Sequence, residues 1–266
     1  MNLEYFDIHS HLYFPDFDKD REEEIKKITE AKIGTITIGT DLESSKKAVE
    51  LAEKHKNLFA SVGQHPGDLN KDSVFEQKLE KLAQHKKVVA IGECGLDYFR
   101  MSPDDLNLKM IQKTIFEYQI DLAISTEKPL MLHIRSSKGT QDAYLDALTI
   151  LEHHFKTSGG KLKGNAHFFA GDLEILKRFL AMGFMVSFTG VVTFSRDYDD
   201  LIRTVPLNML MAETDAPFVS PVPHRGKRNS PLYVTEVVKK LSEIRGEPFL
   251  ELKTALCSNA LRYIAQ

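Results

Sequence analysis

The residues of this chain that can do chemistry are imidazoles and carboxylates, and they gather at the ends of short apolar runs. His9 and His11 close the run 5–11, His65 closes 58–65 and Glu93 closes 88–93. His133 falls at the end of 129–134, His167 in 164–169 and Glu213 in 209–214, with Asp215 just beyond. Residues two apart on a strand share a face, so His9 and His11 present two imidazoles side by side, which is a chelating arrangement. Histidines with carboxylates and no thiolate make a mixed nitrogen and oxygen donor set suited to Zn, Mn, Fe or Mg. His9, His11, Glu93, His133, His167 and Asp215 offer more ligands than one tetrahedral catalytic ion uses while keeping an open position. The economical reading is two divalent ions sharing a carboxylate, with Glu93 as the bridge.

Something must bring these residues together. With 33–40 and 184–190 there are eight such runs, nearly continuous in Val, Ile, Leu, Phe, Met and Ala, as expected of strands buried on both faces. Between them lie segments of helical spacing, the clearest being Leu108, Ile111, Ile115, Tyr118 and Leu122. Ser102 is placed to cap that helix, with Pro103 at its first position and Asp105 in its first turn. Ser230-Pro231 repeats the device before Val234, Val237, Leu241 and Ile244, and a last helix carries Leu252, Leu256, Ala260 and Ile264. Strand and helix alternating eight times predicts a TIM-type (β/α)8 barrel occupying 1–266 as a single domain, since such barrels take about 250 residues. An open doubly wound sheet is the alternative, but His9-Ser10-His11 stands where its Gly-rich phosphate loop would follow the first strand. In a parallel barrel all strand C-termini share one rim, so side chains some two hundred positions apart converge there.

Composition narrows the setting. Apolar residues make up 42% and charged residues 27%, which is ordinary globular usage, and no apolar run approaches the roughly 20 residues that span a bilayer. The first residues carry no basic stretch followed by an apolar region, so no export signal is expected. Cys94 and Cys257 are too few for a disulfide framework, which fits a cytoplasmic setting. A formal net charge of -3 argues against a surface built wholly to trap polyanions, so any nucleic-acid contact is local.

The motifs in order are Asp7-Ile8-His9-Ser10-His11-Leu12, Gly63-Gln64-His65-Pro66, the run from Ile91 to Tyr98, Leu132-His133-Ile134-Arg135, and His167-Phe168-Phe169-Ala170-Gly171. Ser187-Phe188-Thr189-Gly190, Val192-Thr193-Phe194, Glu213-Thr214-Asp215-Ala216-Pro217, Arg228-Asn229-Ser230-Pro231 and the late Asn259 follow. Together, over nearly the whole chain, they resemble the TatD family of metal-dependent deoxyribonucleases. The resemblance implies a TIM-barrel hydrolase of DNA, working by 3′-to-5′ removal of nucleotides, with single strands or 3′ ends as substrate. It also implies one metal site from His9, His11, Glu93 and Asp215, and a second from Glu93, His133 and His167, holding two divalent ions (Mg, Mn or Zn). Two positions depart from the family pattern: Phe168 stands where the family usually has Cys, and Gly67 where it often has His.

Phosphodiester hydrolysis needs an activated water and neutralisation of phosphoryl charge, both of which paired divalent ions supply. Asp215 is expected to take the proton of that water, with Glu93 beside it in the catalytic group. Arg135 on the rim offers a planar fork for a phosphate. The basic segment with Arg225, Lys227 and Arg228 is expected to contact the backbone, and His65 either to contact substrate or to hold a structural hydrogen bond. Tyr98 and Phe99 either stack on bases or pack the rim, with packing favoured, and Glu213 either ligates or orients a ligand. No membrane and no obligate protein partner is implied. The rival enzyme is an amidohydrolase or phosphotriesterase-like barrel acting on a small amide, ester or lactone. Many of these bridge their metals with a carboxylated lysine from the fourth strand, where Val88-Val89-Ala90-Ile91-Gly92-Glu93 offers none. A barrel that binds metal without catalysis is the remaining alternative.

Overall fold

Eight strands run parallel and in sequence order in the computed structural model, which describes residues 2–102 and 104–265: β1 Tyr5–Ser10, β2 Ile33–Ile38, β3 Leu58–Val62, β4 Val88–Asp97, β5 Leu130–Arg135, β6 Gly164–Ala166, β7 Met185–Phe188 and β8 Leu210–Ala212. Each pairs with the next. The ring closes just past β8. Ser10 and Ala216 form a parallel bridge, the Asp215 N–H donates to the His9 carbonyl at 2.9 Å, and the His11 N–H donates to Ala216 at 2.7 Å. The expected barrel is therefore present.

Alternation along the strands sorts the side chains. On β5, Leu130, Leu132 and Ile134 face the helices, while Met131 joins an inner cluster with Phe6, Ile8, Ile36, Met185 and Met211. The inner face therefore continues from Met131 to His133 and from Met211 to Glu213: apolar packing at depth becomes chemistry at the mouth. β6 and β8 are shorter than expected, because residues 167–169 and 213–214 leave the ladder at the rim. β4 is longer, reaching Asp97, and its Gly92 and Gly95 are required. With φ of 140° and 137°, a Cβ there would collide with the carbonyls of Met131 and His133 on the adjacent strand.

The helices are α1 Arg21–Glu30, α2 Leu42–Lys54, α3 Lys78–Ala83, α4 Leu106–Thr126, α5 Asp142–Thr157, α6 Leu173–Ala181, α7 Asp199–Thr204, α8 Val234–Arg245 and α9 Phe249–Ile264. The cap of α4 is Asp105, whose carboxylate accepts the Leu108 N–H at 3.2 Å, so the expected cap at Ser102 is corrected by one turn; Pro103 lies outside the described residues. Ser230 does act as a cap, accepting from Leu232 at 3.2 Å, but it opens a single 3-10 turn, Pro231–Tyr233, that leads into α8. α9 closes the lower end of the barrel. Its Tyr263 hydroxyl donates to Leu130 at 2.8 Å, and its Asn259 amide donates to Leu207 at 2.7 Å and Leu210 at 2.8 Å, which accounts for the late Asn of the motif series. Among the described residues no helix is long and apolar enough to cross a membrane.

Candidate metal centre

The six residues expected to ligate converge at the C-terminal mouth. His9 Nε2 lies 3.3 Å from His11 Nε2, 3.4 Å from Glu93 Oε2 and 3.7 Å from Asp215 Oδ1. His11 Nε2 lies 3.5 Å from that same Asp215 oxygen. The other Glu93 oxygen, Oε1, faces a second group: His133 Nδ1 and His167 Nε2 are each 2.9 Å from it and 3.4 Å from one another. One carboxylate thus serves two groups, one oxygen to each.

These spacings fit cations. Ligands held about 2.1 Å from an ion lie about 3.0–3.4 Å apart at octahedral or tetrahedral angles. Imidazole nitrogens facing each other at 3.3 Å also need a proton or a cation between them, since two lone pairs repel. Among the described residues, triads able to hold a metal include His9–His11–Asp215, His9–Glu93–His167 and His65–Glu93–His133.

The third triad draws in His65, placed 3.5 Å from Glu93 Oε1. Its Nδ1 accepts the Gly67 N–H at 3.1 Å, which leaves the proton of the neutral ring on Nε2, aimed into the site. His65 is thus oriented as a donor. Gly67 is also needed for space, because a Cβ there would stand 2.9 Å from the His65 ring.

Electrostatics follow from burial among opposite charges. Burial pushes the Glu93 carboxyl up, but the imidazoles of His65, His9 and His167 outweigh it and hold Glu93 well below the ordinary range. Burial pulls His167 down, yet Glu213 and Glu93 hold it well above its usual value. His9 is lowered by burial and by His167, and His65 falls to about 3 through burial and the neighbouring His133. Asp215 is kept ionised against burial by His11, His9 and His167.

A shell of carboxylates that offer no obvious ligand atom positions those that do. Asp7, fully buried, accepts from the Thr214 N–H at 2.8 Å, the Thr214 hydroxyl at 2.6 Å and the His9 N–H at 3.2 Å, tying β1 to the strand end that carries Asp215. Glu213 accepts the Phe168 N–H at 2.5 Å and lies 3.4 Å from His167 Nδ1, so it orients a candidate ligand from behind. Asp97 lies 3.0 Å from His133 Nε2.

The expected substrate contacts separate into two groups. Arg135 is exposed on the wall of the mouth cavity, its guanidinium 3.7 Å from the centre of the Phe99 ring, and His65 and Phe168 line the same cavity of about 900 Å³. Arg225 is exposed but stacks on Phe194 at 3.9 Å and donates to the Ser220 carbonyl at 3.1 Å; Lys227 is exposed, and neither lines the cavity. For Arg228 the expectation is corrected. Its guanidinium forks onto both Asp20 oxygens at 2.7 Å and lies over Phe17, holding the loop after β8 against α1. Ser230 donates to Glu24 at 2.6 Å and the Asn229 amide donates to Thr214 at 2.8 Å, so this motif braces the segment that carries Asp215. Tyr98 is buried with its hydroxyl 3.0 Å from Asp146, the packing role favoured by the sequence.

A closed parallel barrel with imidazoles and carboxylates gathered at its C-terminal mouth defines a metal-dependent hydrolase type of enzyme. The family model described as TatD related DNase matches residues 6–265, and the chain belongs to this TatD family. It is 36% identical to the uncharacterized metal-dependent hydrolase YabD of Bacillus subtilis over 264 residues, covering 97% of each chain. It is 33% identical to the uncharacterized metal-dependent hydrolase YcfH of Escherichia coli, covering 96% of this chain and 94% of that one. The crystal structure of YjjV, a TatD homolog from Escherichia coli, superposes with a TM-score of 0.85 at 29% identity, covering 99% of this chain and 98% of that one.

Proposed function

We propose that this hydrolase cleaves phosphodiester bonds in DNA, removing nucleotides from 3′ ends of single strands, with two divalent ions shared through Glu93. The observation that carries the reading is the division of the Glu93 oxygens, Oε2 toward His9 at 3.4 Å and Oε1 toward His133 and His167 at 2.9 Å. In it His9, His11, Glu93 and Asp215 would hold one ion and Glu93, His133 and His167 the other. Bound there, such ions acidify a water and neutralise charge on the phosphoryl oxygens.

The chain's own groups do the rest. Asp215 reaches the cavity with its carboxylate ionised, so it can take up the proton of the attacking water. The His65 Nε2–H points toward the space above Glu93, where it can donate to a phosphoryl oxygen. Arg135 on the wall offers its fork to a flanking phosphate, and Arg225 and Lys227, farther out, add positive charge along the departing strand. Membership of the family of TatD related DNases supports a nucleic-acid substrate.

The test is incubation of the metal-loaded protein with end-labelled single- and double-stranded DNA, RNA and a panel of small esters and amides. Chelator-sensitive release of mononucleotides is expected from DNA, beginning at the 3′ end. Turnover of the small substrates alone would refute the reading.

A further inference from the structure

We infer that Asp97 is a positioning residue that selects the metal-binding tautomer of His133. The inference rests on the two-ion reading above. His133 has one nitrogen toward each side: Nδ1 faces Glu93 Oε1 at 2.9 Å and His167 Nε2 at 3.4 Å, and Nε2 faces Asp97 Oδ2 at 3.0 Å. A neutral imidazole keeps one proton, and the nitrogen bearing it cannot ligate. An ionised carboxylate only accepts. Glu93 Oε1 is an acceptor facing Nδ1 as well, but when an ion engages Glu93 it no longer accepts from the ring; Asp97 then holds the proton on Nε2 and leaves the Nδ1 lone pair directed at the space shared with Glu93 and His167.

Asp97 is itself fixed at every polar group. Its Oδ1 accepts the Phe99 N–H at 3.0 Å, its own N–H donates to Gln112 Oε1 at 2.9 Å, and its carbonyl accepts from Gln112 Nε2 at 3.0 Å. Gln112 is buried and also donates to the Pro66 carbonyl at 3.1 Å, so this clamp is anchored to the loop that carries His65. The Asp97 carboxylate has little freedom to turn, and which oxygen meets His133 is settled by the Phe99 amide.

That fixed orientation gives an unusual ranking of variants. In D97N the amide oxygen is retained by the Phe99 N–H, which turns the NH2 group toward His133 Nε2. The ring must then accept at Nε2 and carry its proton on Nδ1, where the ion belongs. In D97A the carboxylate is gone, and water can accept from Nε2–H. The isosteric change is thus expected to be the more damaging, the reverse of what a packing or structural role gives.

The experiment is zinc titration by calorimetry of the wild type, D97N and D97A, after circular dichroism shows each is folded. It is joined by long-range proton–nitrogen spectra of the His133 ring in zinc-loaded protein and, with the competing carboxylate at Nδ1 removed, in metal-free E93A and E93A/D97N above the imidazole titration range. The expected result is a second zinc site weakened about ten- to hundred-fold in D97N, less in D97A, with the first site unchanged. The ring proton should move from Nε2 in the wild type to Nδ1 in D97N. Equal zinc affinity in all three, a larger loss in D97A, or an unmoved ring proton overturns the inference. If the wild type binds no second zinc, the two-ion reading fails by itself, and the ring-proton position in metal-free E93A, expected on Nε2, against E93A/D97N, expected on Nδ1, still decides the role of Asp97.

Discussion

Substituting Glu93 should abolish the heat stabilisation that divalent ions give, whereas substituting His11 or His133 should remove about half of it. Any ligand that binds only the folded state stabilises by RT ln(1 + [L]/Kd), about 2.7 kcal/mol at a hundredfold excess over Kd. Unfolding entropy near the midpoint is about 2.1 cal/mol/K per residue, so for 266 residues it is about 0.56 kcal/mol/K. One ion then raises the melting temperature by about 5 °C and two by about 10 °C. His11 lies 3.5 Å from Asp215 in one group, and His133 lies 2.9 Å from Glu93 Oε1 in the other, so H11A and H133A should each keep a shift of about 5 °C. Glu93 belongs to both groups, so E93A should keep almost none.

The assay is differential scanning fluorimetry of each protein with zinc or manganese and with EDTA. Each variant serves as its own reference, so the change in metal-free stability drops out. An E93A shift as large as that of H133A would refute the shared carboxylate. A full loss in H133A would refute two separable sites.

Four further outcomes follow from the same geometry. D215N should bind metal with turnover reduced about 10²–10⁴-fold, as expected for loss of a proton acceptor, and near-normal turnover with metal bound removes that role. R135A should raise KM for single-stranded DNA and flatten its salt dependence while the melting temperature holds, because Arg135 is exposed at the cavity wall; an unchanged KM counts against a phosphate contact. R228A should do the opposite, losing about 1 kcal/mol of stability, or about 2 °C, with KM little changed, since its fork is engaged by Asp20. The fourth concerns pH. His167 is raised above its unfolded value by Glu213 and Glu93, so in metal-free protein its stabilising contribution is complete below the ordinary imidazole range and is lost as pH rises through the raised value. The melting temperature with EDTA should therefore fall from pH 7 to 9, while the ion-induced increment grows, and fluorimetry across that range checks both signs.

The barrel and the convergence of its imidazoles and carboxylates were legible in sequence for a physical reason. Strands buried on both faces read as continuous apolar runs, and in a parallel ring the residues at the strand C-termini converge on one mouth. What sequence did not reveal were pairings between residues far apart in the chain. Arg228 looks like part of a basic phosphate loop, yet it pairs with an Asp 208 positions away, a contact no local pattern encodes. Asp105 and Ser102 are both good caps one turn apart, and propensity does not choose between them. Asp97 could have been found: Glu93, Gly95 and Asp97 are spaced by two, and with a glycine between them two carboxylates on one strand share a face.

The backbone at the mouth explains why the chemistry sits there and not deeper. Deep in the barrel the inner cluster is apolar, whereas residues beyond β6 and β8 depart from ordinary dihedrals. Asp215 has φ of 56°, Phe168 of 45° and Val219 of 53°. Such values cost about 1–3 kcal/mol each in a residue with a side chain, least for Asp, and they persist only where the surroundings fix them. The two cases beside the candidate metal centre are fixed. The Asp215 N–H is held by the His9 carbonyl at 2.9 Å, and the Phe168 N–H is held by Glu213 at 2.5 Å, the carboxylate that also stands behind His167. Turning the chain out of the ladder at these two points is what lets residues after β6 and β8 aim inward beside ligands from β1, β4 and β5. The hydrogen bonds that stabilise the bend are made to His9, a candidate ligand, and to Glu213, which stands behind another, so the conformation of the rim and the position of the candidate ligands cannot be varied independently.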